Sequence, residues 1–398
     1  METVDTTHAR GDTRGWAMTV SLDDIRAAAD RHHETVLDLT MRICAVPSPT
    51  HAERERAEFV AGIFRERGYE PEMDDVSNVY ARRGNAGGKV VLVLAHTDTV
   101  FPAGTPIEVR RDERFLYGPG IGDNSSNLAG MLTALQILDE LEVETEADIT
   151  FCADVGEEGL GNLRGARAAV ERYREELGAV VVLDGRVGRV TISGVGSLRW
   201  RVTVNGPGGH SFGAFGTPSA IHGLGRIIAA IADLDVPASP KTTYNAGIIE
   251  GGTSVNTIAA SASMILDMRS VDAGELQKLA DKVQAIIERE PGKGLTTEIE
   301  LLGERPAGSQ SPDHPLIQLA VDACRWVGYE PELQSSSTDL NIPVSFGIPG
   351  VCLGTSIGEG THTVNEQIHI EPFKDGVAHV TRMLIDATSW VATGKGTF

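Results

Sequence analysis

Four short strings in this chain present side chains that bind metals. VVLVLAHTD ends an apolar run in His96 and Asp98, ITFCADVGEEG in Glu157 and Glu158, and VVVLDG in Asp184, while GEGTHTVNE near the end of the chain presents His362. Between the first two lies GPGIGDNSSNLAG, a glycine-rich loop carrying Asp123. Two histidines, three carboxylates and one further glutamate make a dinuclear metal site with its own base. That is the equipment of a hydrolase.

Such residues need a frame. In open α/β sheets functional groups collect just past the carboxyl ends of strands. The unbroken apolar runs VVLVLA, ITFCADV and AVVVLD read as strands covered on both faces. Helices alternate with them: NLAGMLTALQILDEL, NLRGARAAVERYREEL and, earlier, stretches from Leu22 to about Cys44 and from Ala52 to Arg67, the latter stopped by Gly68. This is the α/β pattern of a mainly parallel sheet flanked by helices. From about Gly196 the style changes. SLRWRVTVNG alternates as a strand with one wet face does, and a β-α-β-β-α-β order follows to LTTEIELL, the ferredoxin-like arrangement. The expected organisation is a first domain of residues 21–195 and 308–398, a ferredoxin-like α+β insertion at 196–307, and a flexible tail at 1–20. A C-terminal amphipathic helix is expected from Phe373 to Thr393.

The bulk numbers exclude some classes. Asp plus Glu number 56 against 35 Lys plus Arg, a net charge of −21. Nucleic acid and anionic membranes would repel such a chain, and no apolar run approaches the ~18 residues of a membrane span. Cys44, Cys152, Cys324 and Cys352 are scattered with no CxxC pair, so buried thiols in a reducing cytoplasm are expected rather than a thiolate zinc site. The polar N-terminus has no apolar core of a signal peptide. A nucleotide-binding loop at GPGIGDNSSNLAG is excluded, because it lacks the P-loop lysine and puts an aspartate where phosphate needs a donor.

From about Ala52 to Val380 the chain resembles the dinuclear zinc exopeptidases and aminoacylases (clan MH metallopeptidases), among them peptidase T, acetylornithine deacetylase, succinyl-diaminopimelate desuccinylase and glutamate-type carboxypeptidases. AHTDTV, GPGIGDN, GEEGLGN, GPGGHS, GGTSVNTI, DMRS and GTHTVNE carry the resemblance, in the family's order and spacing. It implies the zinc exopeptidase fold, with the insertion as lid and dimerisation domain. It implies two divalent ions, zinc foremost with cobalt or manganese tolerated, about 3.5 Å apart. His96, Asp123 and Asp184 would hold one, and Asp123, Glu158 and His362 the other. Asp98 would orient His96 by accepting its free ring N–H, and Glu157 would be the general base. His210 would reach the opposite subunit's site to stabilise the oxyanion.

Asn256 and Arg269 match positions where relatives grip a substrate carboxylate, although Arg269 could instead form a structural ion pair with Asp267 or Asp272. Many relatives carry a lysine two residues after the bridging aspartate; here Asn124, Ser125 and Ser126 follow Asp123. The family's cis peptide is expected at Asp123-Asn124. The resemblance implies a homodimer that hydrolyses small peptides or N-acyl amino acids. An exopeptidase like peptidase T is preferred, an N-acyl-amino-acid deacylase or glutamate-type carboxypeptidase is the alternative, and a non-catalytic binding relative is the reading from another class.

Overall fold

The computed structural model describes residues 20–84 and 87–394; the tail expected at the N-terminus lies, up to residue 19, outside the described residues. Ser21 opens the first helix, Leu22–Arg31, by reciprocal capping. Its hydroxyl accepts from Asp24 N at 3.1 Å, and the Asp24 carboxylate accepts from Ser21 N at 3.1 Å. The helical stretch from Leu22 to Cys44 proves to be two helices, Leu22–Arg31 and His33–Cys44, broken at His32 (φ −89°, ψ 5°). Buried positions keep their spacing across the break, from Ala29 to Val36, so periodicity alone does not reveal it.

The larger sheet has parallel strands at its centre, in the order Asp148–Asp154, Val90–His96, Leu177–Leu183 and Gly350–Leu353. Antiparallel neighbours flank them, Val79–Arg83 on one side and Arg189–Gly194 on the other, and the short strands Glu72–Met73, Gly308–Ser309 and Glu332–Ser336 extend the sheet beyond these. The three strands that lead to the candidate site are buried at every residue. Their alternate side chains feed two cores. Val91, Val93 and Val181 pack with the helices Asn127–Glu140 and Phe373–Ala392, while Leu92, Leu94 and Val182 pack with Ala166, Ala169 and Ile342. Burying one such side chain is worth about 1.5–3 kcal/mol, which holds the strand ends rigidly. Leu94 lies opposite both Cys152 and Val182, and His96 opposite Asp154. The strands therefore end level, and His96, the Glu157–Glu158 loop and Asp184 emerge along one edge.

The second sheet runs Thr242–Gly251, Ser261–Ser270, Gly196–Asn205 and Thr296–Arg305, all neighbours antiparallel. The helices Ala220–Ala232 and Ala273–Arg289 cover one face, burying Leu224, Ile227 and Val283 against Val202, Met264 and Leu266. The strand and helix order is the ferredoxin-like one read from the alternation. The chain leaves the first sheet at Gly194 and returns at Gly308, its partner in register. A Cβ at Gly194 would lie 2.7 Å from Asn341 Cα, and one at Gly308 2.7 Å from Ser345 N. Only glycines let the two crossings pack this closely.

Candidate metal centre

Asp123 stands in the wide turn Ile121–Ser126, ahead of the helix Asn127–Glu140, and the Asp123-Asn124 peptide is cis. Its two oxygens face two imidazoles. Oδ1 is 3.2 Å from His96 Nε2, and Oδ2 is 3.1 Å from His362 Nε2. His362 Nε2 is also 3.2 Å from Glu158 Oε1. The ligand atoms of His96, Asp123 and Asp184 lie within 4.8 Å of one another, as do those of Asp123, Glu158 and His362. Asp123 belongs to both groups. A third grouping, His96 with Glu157 and Glu158, is as tight, but Glu157 is engaged elsewhere. A cleft of about 180 Å³ lined by Asp123, Asp184, Arg186 and Glu366 opens onto the groups.

These residues fit a pair of cations. His96 Nε2 and Glu158 Oε1 are buried yet have no oriented hydrogen-bond partner, although oppositely charged atoms stand 3.2 Å away. Buried polar atoms rarely stay unsatisfied, and a cation between these groups would satisfy both. Imidazole with carboxylate is a donor set for zinc and its first-row neighbours.

The supporting contacts explain how the donors are aimed. His96 Nδ1 lies 3.1 Å from the Asp98 backbone carbonyl and 3.6 Å from its Oδ1. A carbonyl only accepts, so Nδ1 carries hydrogen and Nε2 faces Asp123. The closer partner of Nδ1 is the backbone carbonyl, with the Asp98 carboxylate beside it. Oδ1 accepts from Glu157 N and Oδ2 from Glu158 N, both at 3.0 Å, and Oδ2 also accepts from Thr50 Oγ1 at 2.9 Å. Asp98 clamps the Glu157–Glu158 loop while its carboxylate also flanks the imidazole. Glu366, buried, accepts from Gly120 N at 2.8 Å and Asp123 N at 3.0 Å, holding the Asp123 turn. Ser126 Oγ donates to the Gly122 carbonyl and bonds Ser356 Oγ, each at 2.9 Å, while Ser125 is fully enclosed. The departure from the family lysine therefore leaves no side chain of this serine pair open to substrate.

Arg305 is the main residue that sequence reasoning missed. It ends the last strand of the second sheet, and its Nη1 donates to Glu157 Oε1 at 3.0 Å and to Ser337 Oγ at 3.1 Å. Its Nη2 donates to the Glu157 carbonyl. A 148-residue separation leaves no local signal for such a pair. Asp154 and Asp339 were missed too. None of their four carboxyl oxygens finds a donor, since one carboxylate cannot donate to another. Burial raises both, and the Asp154 charge raises Asp339 further, so that a proton is retained between them.

The same crowding governs the rest of the site in the ion-free chain. Burial pulls His96 down, but its contacts with Asp123 and Asp98 outweigh this and raise it well above the ordinary imidazole range. Contacts with Asp123 and Glu158 push His362 up to about 10. Burial works to raise Asp123, yet the two imidazoles hold it well below the usual carboxylate range. Burial and the Asp123 charge lift Asp184 to about 6, and burial raises Glu157 well above its usual range against the pull of Arg305. Protons on the histidines thus do the charge balancing that divalent ions would take over, and ion binding releases them.

The remaining candidates stand apart. His210 lies on an exposed two-residue strand paired with Thr257–Ile258, where its Nδ1 accepts from Phe212 N at 3.3 Å and Gly213 N at 3.2 Å. Asn256 sits on the adjoining exposed loop, its backbone carbonyl accepting from Ser211 N at 3.0 Å. Arg269 is at the far end of the strand Ser261–Ser270, which at ~3.3 Å per residue spans about 30 Å. There Arg269 Nε donates to Asp267 Oδ2 at 2.7 Å. Within one chain Asn256 and Arg269 are not brought together.

The family model of peptidase family M20/M25/M40 matches residues 92–386. The succinyl-diaminopimelate desuccinylase of Corynebacterium glutamicum is 27% identical over 87% of this chain and 95% of that protein. An enzyme of the same name from Methylorubrum extorquens is 27% identical over 84% of this chain and 94% of its own length. Among solved structures, the aminopeptidase PepT of Bacillus cereus superimposes with a TM-score of 0.75 at 24% identity, covering 90% of this chain and 99% of its own. A tripeptidase of Staphylococcus aureus superimposes with a TM-score of 0.77 at 20% identity and the same coverage.

Proposed function

Because this chain belongs to peptidase family M20/M25/M40, we propose that it is an exopeptidase acting on small amide substrates that bear a free carboxylate. Metal-dependent amide hydrolysis is the coarser statement, and it holds for the family. Asp123, whose two oxygens serve two ligand groups at once, carries the metal-hydrolase part of this reading, and the likeness to an aminopeptidase and a tripeptidase inclines it to the exopeptidase. In this reading His96, Asp123 and Asp184 hold one divalent ion, zinc foremost, and Asp123, Glu158 and His362 hold the other. When bound, the pair supplies a Lewis acid for the scissile carbonyl and lowers the pKa of the attacking water.

The chain does the rest. Arg305 holds Glu157 through Oε1, which leaves Oε2 to take the proton from the attacking water and return it to the leaving amine. His210 receives two backbone N–H groups on Nδ1, so its Nε2 carries hydrogen and is suited to donate to the developing oxyanion of a partner subunit. Residues 196–307 act as lid and dimerisation unit. The edge strand Thr242–Gly251 supports this. Its outer side is unpaired among the described residues, and it exposes Ile248 and Ile249 at 52% and 60%, a surface suited to a second copy. Among the described residues no helix is long and apolar enough to cross a membrane, and all four cysteines are buried and free; a cytoplasmic setting remains part of the proposal.

The relatives named as desuccinylases favour the deacylase alternative at the same site. The deciding experiment measures metal content together with hydrolysis of tripeptides, N-acetyl amino acids and acyl-glutamates, with and without chelator. About two ions per chain and chelator-sensitive cleavage of the peptides are expected. Cleavage confined to acyl substrates replaces the exopeptidase with the deacylase, and absence of both metal and cleavage refutes the ligand set. For the crossed arrangement, His210→Ala mixed with Glu157→Gln should regain activity through hybrid dimers. No recovery, once subunit exchange is demonstrated, refutes it.

A further inference from the structure

A second cleft, of about 130 Å³, lies beside the loop that follows Asp98. Ser48, Arg56 and Thr99 give it a buried polar floor, while Phe101, Ile107 and Pro119 stand among its apolar walls. No carboxylate lines it among the described residues. The guanidinium of Arg56 is buried, and every hydrogen bond it makes ends on a backbone carbonyl. Val46 accepts at 2.9 and 2.6 Å, Thr97 at 2.9 Å and Cys44 at 3.5 Å. Arg56 forms no ion pair among the described residues. The charge of Asp98 reaches it, but that carboxylate is already committed to two backbone N–H groups and the Thr50 hydroxyl. Burial accordingly pulls Arg56 down to about 10, since a buried cation balanced mainly by carbonyls is costly. Nη1 carries two hydrogens and meets one acceptor, so one is uncommitted. Ser48, 2% exposed, has no hydrogen-bond partner for its Oγ. Two uncommitted donors thus belong to the lining of one small cavity.

Size and wall chemistry narrow the occupant. A volume of about 130 Å³ is several times the ~30 Å³ that one water takes in the liquid, and more than a bare halide fills. Sulfate or phosphate would bring two charges to one guanidinium and lay them against apolar walls. A carboxylate with a short hydrocarbon tail satisfies the guanidinium and hydroxyl through its oxygens and the walls through its methylenes.

We propose that this cleft binds a small monocarboxylate of propionate or butyrate size, its oxygens on Arg56 and Ser48 and its tail against Phe101 and Ile107. The occupant touches the supports of the metal centre. Arg56 holds the carbonyl of Thr97, between His96 and Asp98. Thr99 follows Asp98, and its N–H donates to the Ser48 carbonyl at 2.9 Å. Pro119 precedes Gly120, whose N–H is held by Glu366. Carboxylate and metal therefore reinforce each other, and by linkage the effect is reciprocal. Binding in the cleft stands without the hydrolase reading, whereas the coupling rests on its ligand set.

Calorimetric titration of the metal-loaded protein with propionate, propionamide and chloride reads the cleft without turnover. Propionate should bind saturably, and the other two about tenfold more weakly or worse. Ser48→Ala should weaken propionate about tenfold. It should leave the unfolding midpoint of the unliganded protein unchanged or higher, because the lost hydroxyl had no partner. Ala103→Trp, at an exposed lining position, should abolish binding and keep the metal content. Binding that survives Ala103→Trp belongs to the metals and overturns the proposal. Equal affinity for propionamide or chloride, full affinity in Ser48→Ala, or no binding at all overturns it too. Saturating propionate should tighten zinc about fivefold or more. Zinc affinity unmoved by propionate overturns the coupling, whereas zinc that binds under no condition counts against the ligand set alone.

Discussion

Asp98→Asn tests the idea that the Asp98 carboxylate works as a clamp on the Glu157–Glu158 loop. The carboxylate accepts two backbone N–H groups at 3.0 Å and the Thr50 hydroxyl at 2.9 Å. Asparagine keeps one acceptor oxygen and places an NH₂ where the other stood. The Thr50 hydroxyl can turn to accept from that amide. A backbone N–H cannot, so either Glu157 or Glu158 is left with its donor facing a donor, in a site where Asp98 is wholly buried. Losing one charge-assisted bond and stranding one buried donor costs, with the two effects overlapping, about 2–4 kcal/mol. His96 is held by the Asp98 backbone carbonyl, which the substitution leaves in place. The loss therefore falls on the loop that carries Glu158, and metal affinity should drop about 10- to 100-fold. Competition titration of zinc against a chelating dye reads the affinity, and urea unfolding of the metal-free protein reads the stability. Wild-type zinc affinity together with an unchanged unfolding midpoint would refute the clamp. Lost affinity for both ions with unchanged stability would point to His96 orientation instead.

Glu157→Gln should retain both ions and lose turnover by about a hundred- to ten-thousandfold; activity within tenfold of wild type removes Glu157 from the role of base. Arg305→Leu leaves a buried carboxylate without its partner and should cost about 3–5 kcal/mol in urea unfolding. Adding Glu157→Gln to that variant should restore part of the loss, and strictly additive effects would mean that the pair does not interact. His379 gives a pH test away from the metal groups. Burial holds its imidazole down at about 4, against 6.5 in the unfolded chain. As pH falls through 6.5 the unfolded chain takes up a proton that the folded chain refuses, so stability is lost between 6.5 and about 4 and levels off below. The contribution is about 3 kcal/mol. His379→Leu in chelated protein should remove that share of the acid sensitivity, and an unchanged pH dependence of unfolding would rule it out.

Much of this architecture is legible because burial on two faces writes itself into sequence. Val90–His96 must be apolar throughout to lie between helices, and such a run ending in a histidine marks both the strand and its functional end. The alternation in Gly196–Asn205 likewise marks a sheet covered on one face only. Glu158 and Asp184 are readable as candidates because metal-ligating types just past strand ends are few, whereas Asp123 and His362 lie in loops and become candidates through the family resemblance. What escapes is set by tertiary contact. Arg305 and Glu157 meet from different sheets, Asp154 and Asp339 become a pair only when the sheet edge closes over them, and Glu366 looks like any loop glutamate until its oxygens find Gly120 N and Asp123 N. The partners of the Asp98 carboxylate escape for the same reason. Proximity in sequence favours His96, whereas the fold brings two better donors to it. His32 breaks a helix without glycine or proline, so no punctuation gives it away.

The gathering of acids at this strand edge also bears on how long the protein lasts. Asp98, Asp154, Glu157, Glu158, Asp339 and Glu366 are all buried there, with Asp123 and Asp184 beside them. Held without cations, that cluster is balanced only by protons on His96, His362 and the raised carboxyls and by Arg305, and it lacks the tie an ion would make between Glu158, Asp123 and His362. A shortage of divalent ions is therefore expected to shorten the life of the folded chain as well as its activity, if the Glu157–Glu158 loop is the one that loosens and meets a protease. The abundance of the protein becomes a readout of metal supply. Limited proteolysis with and without chelator should place the first cut between residues 155 and 163, and identical digestion in both conditions would dissociate survival from metal.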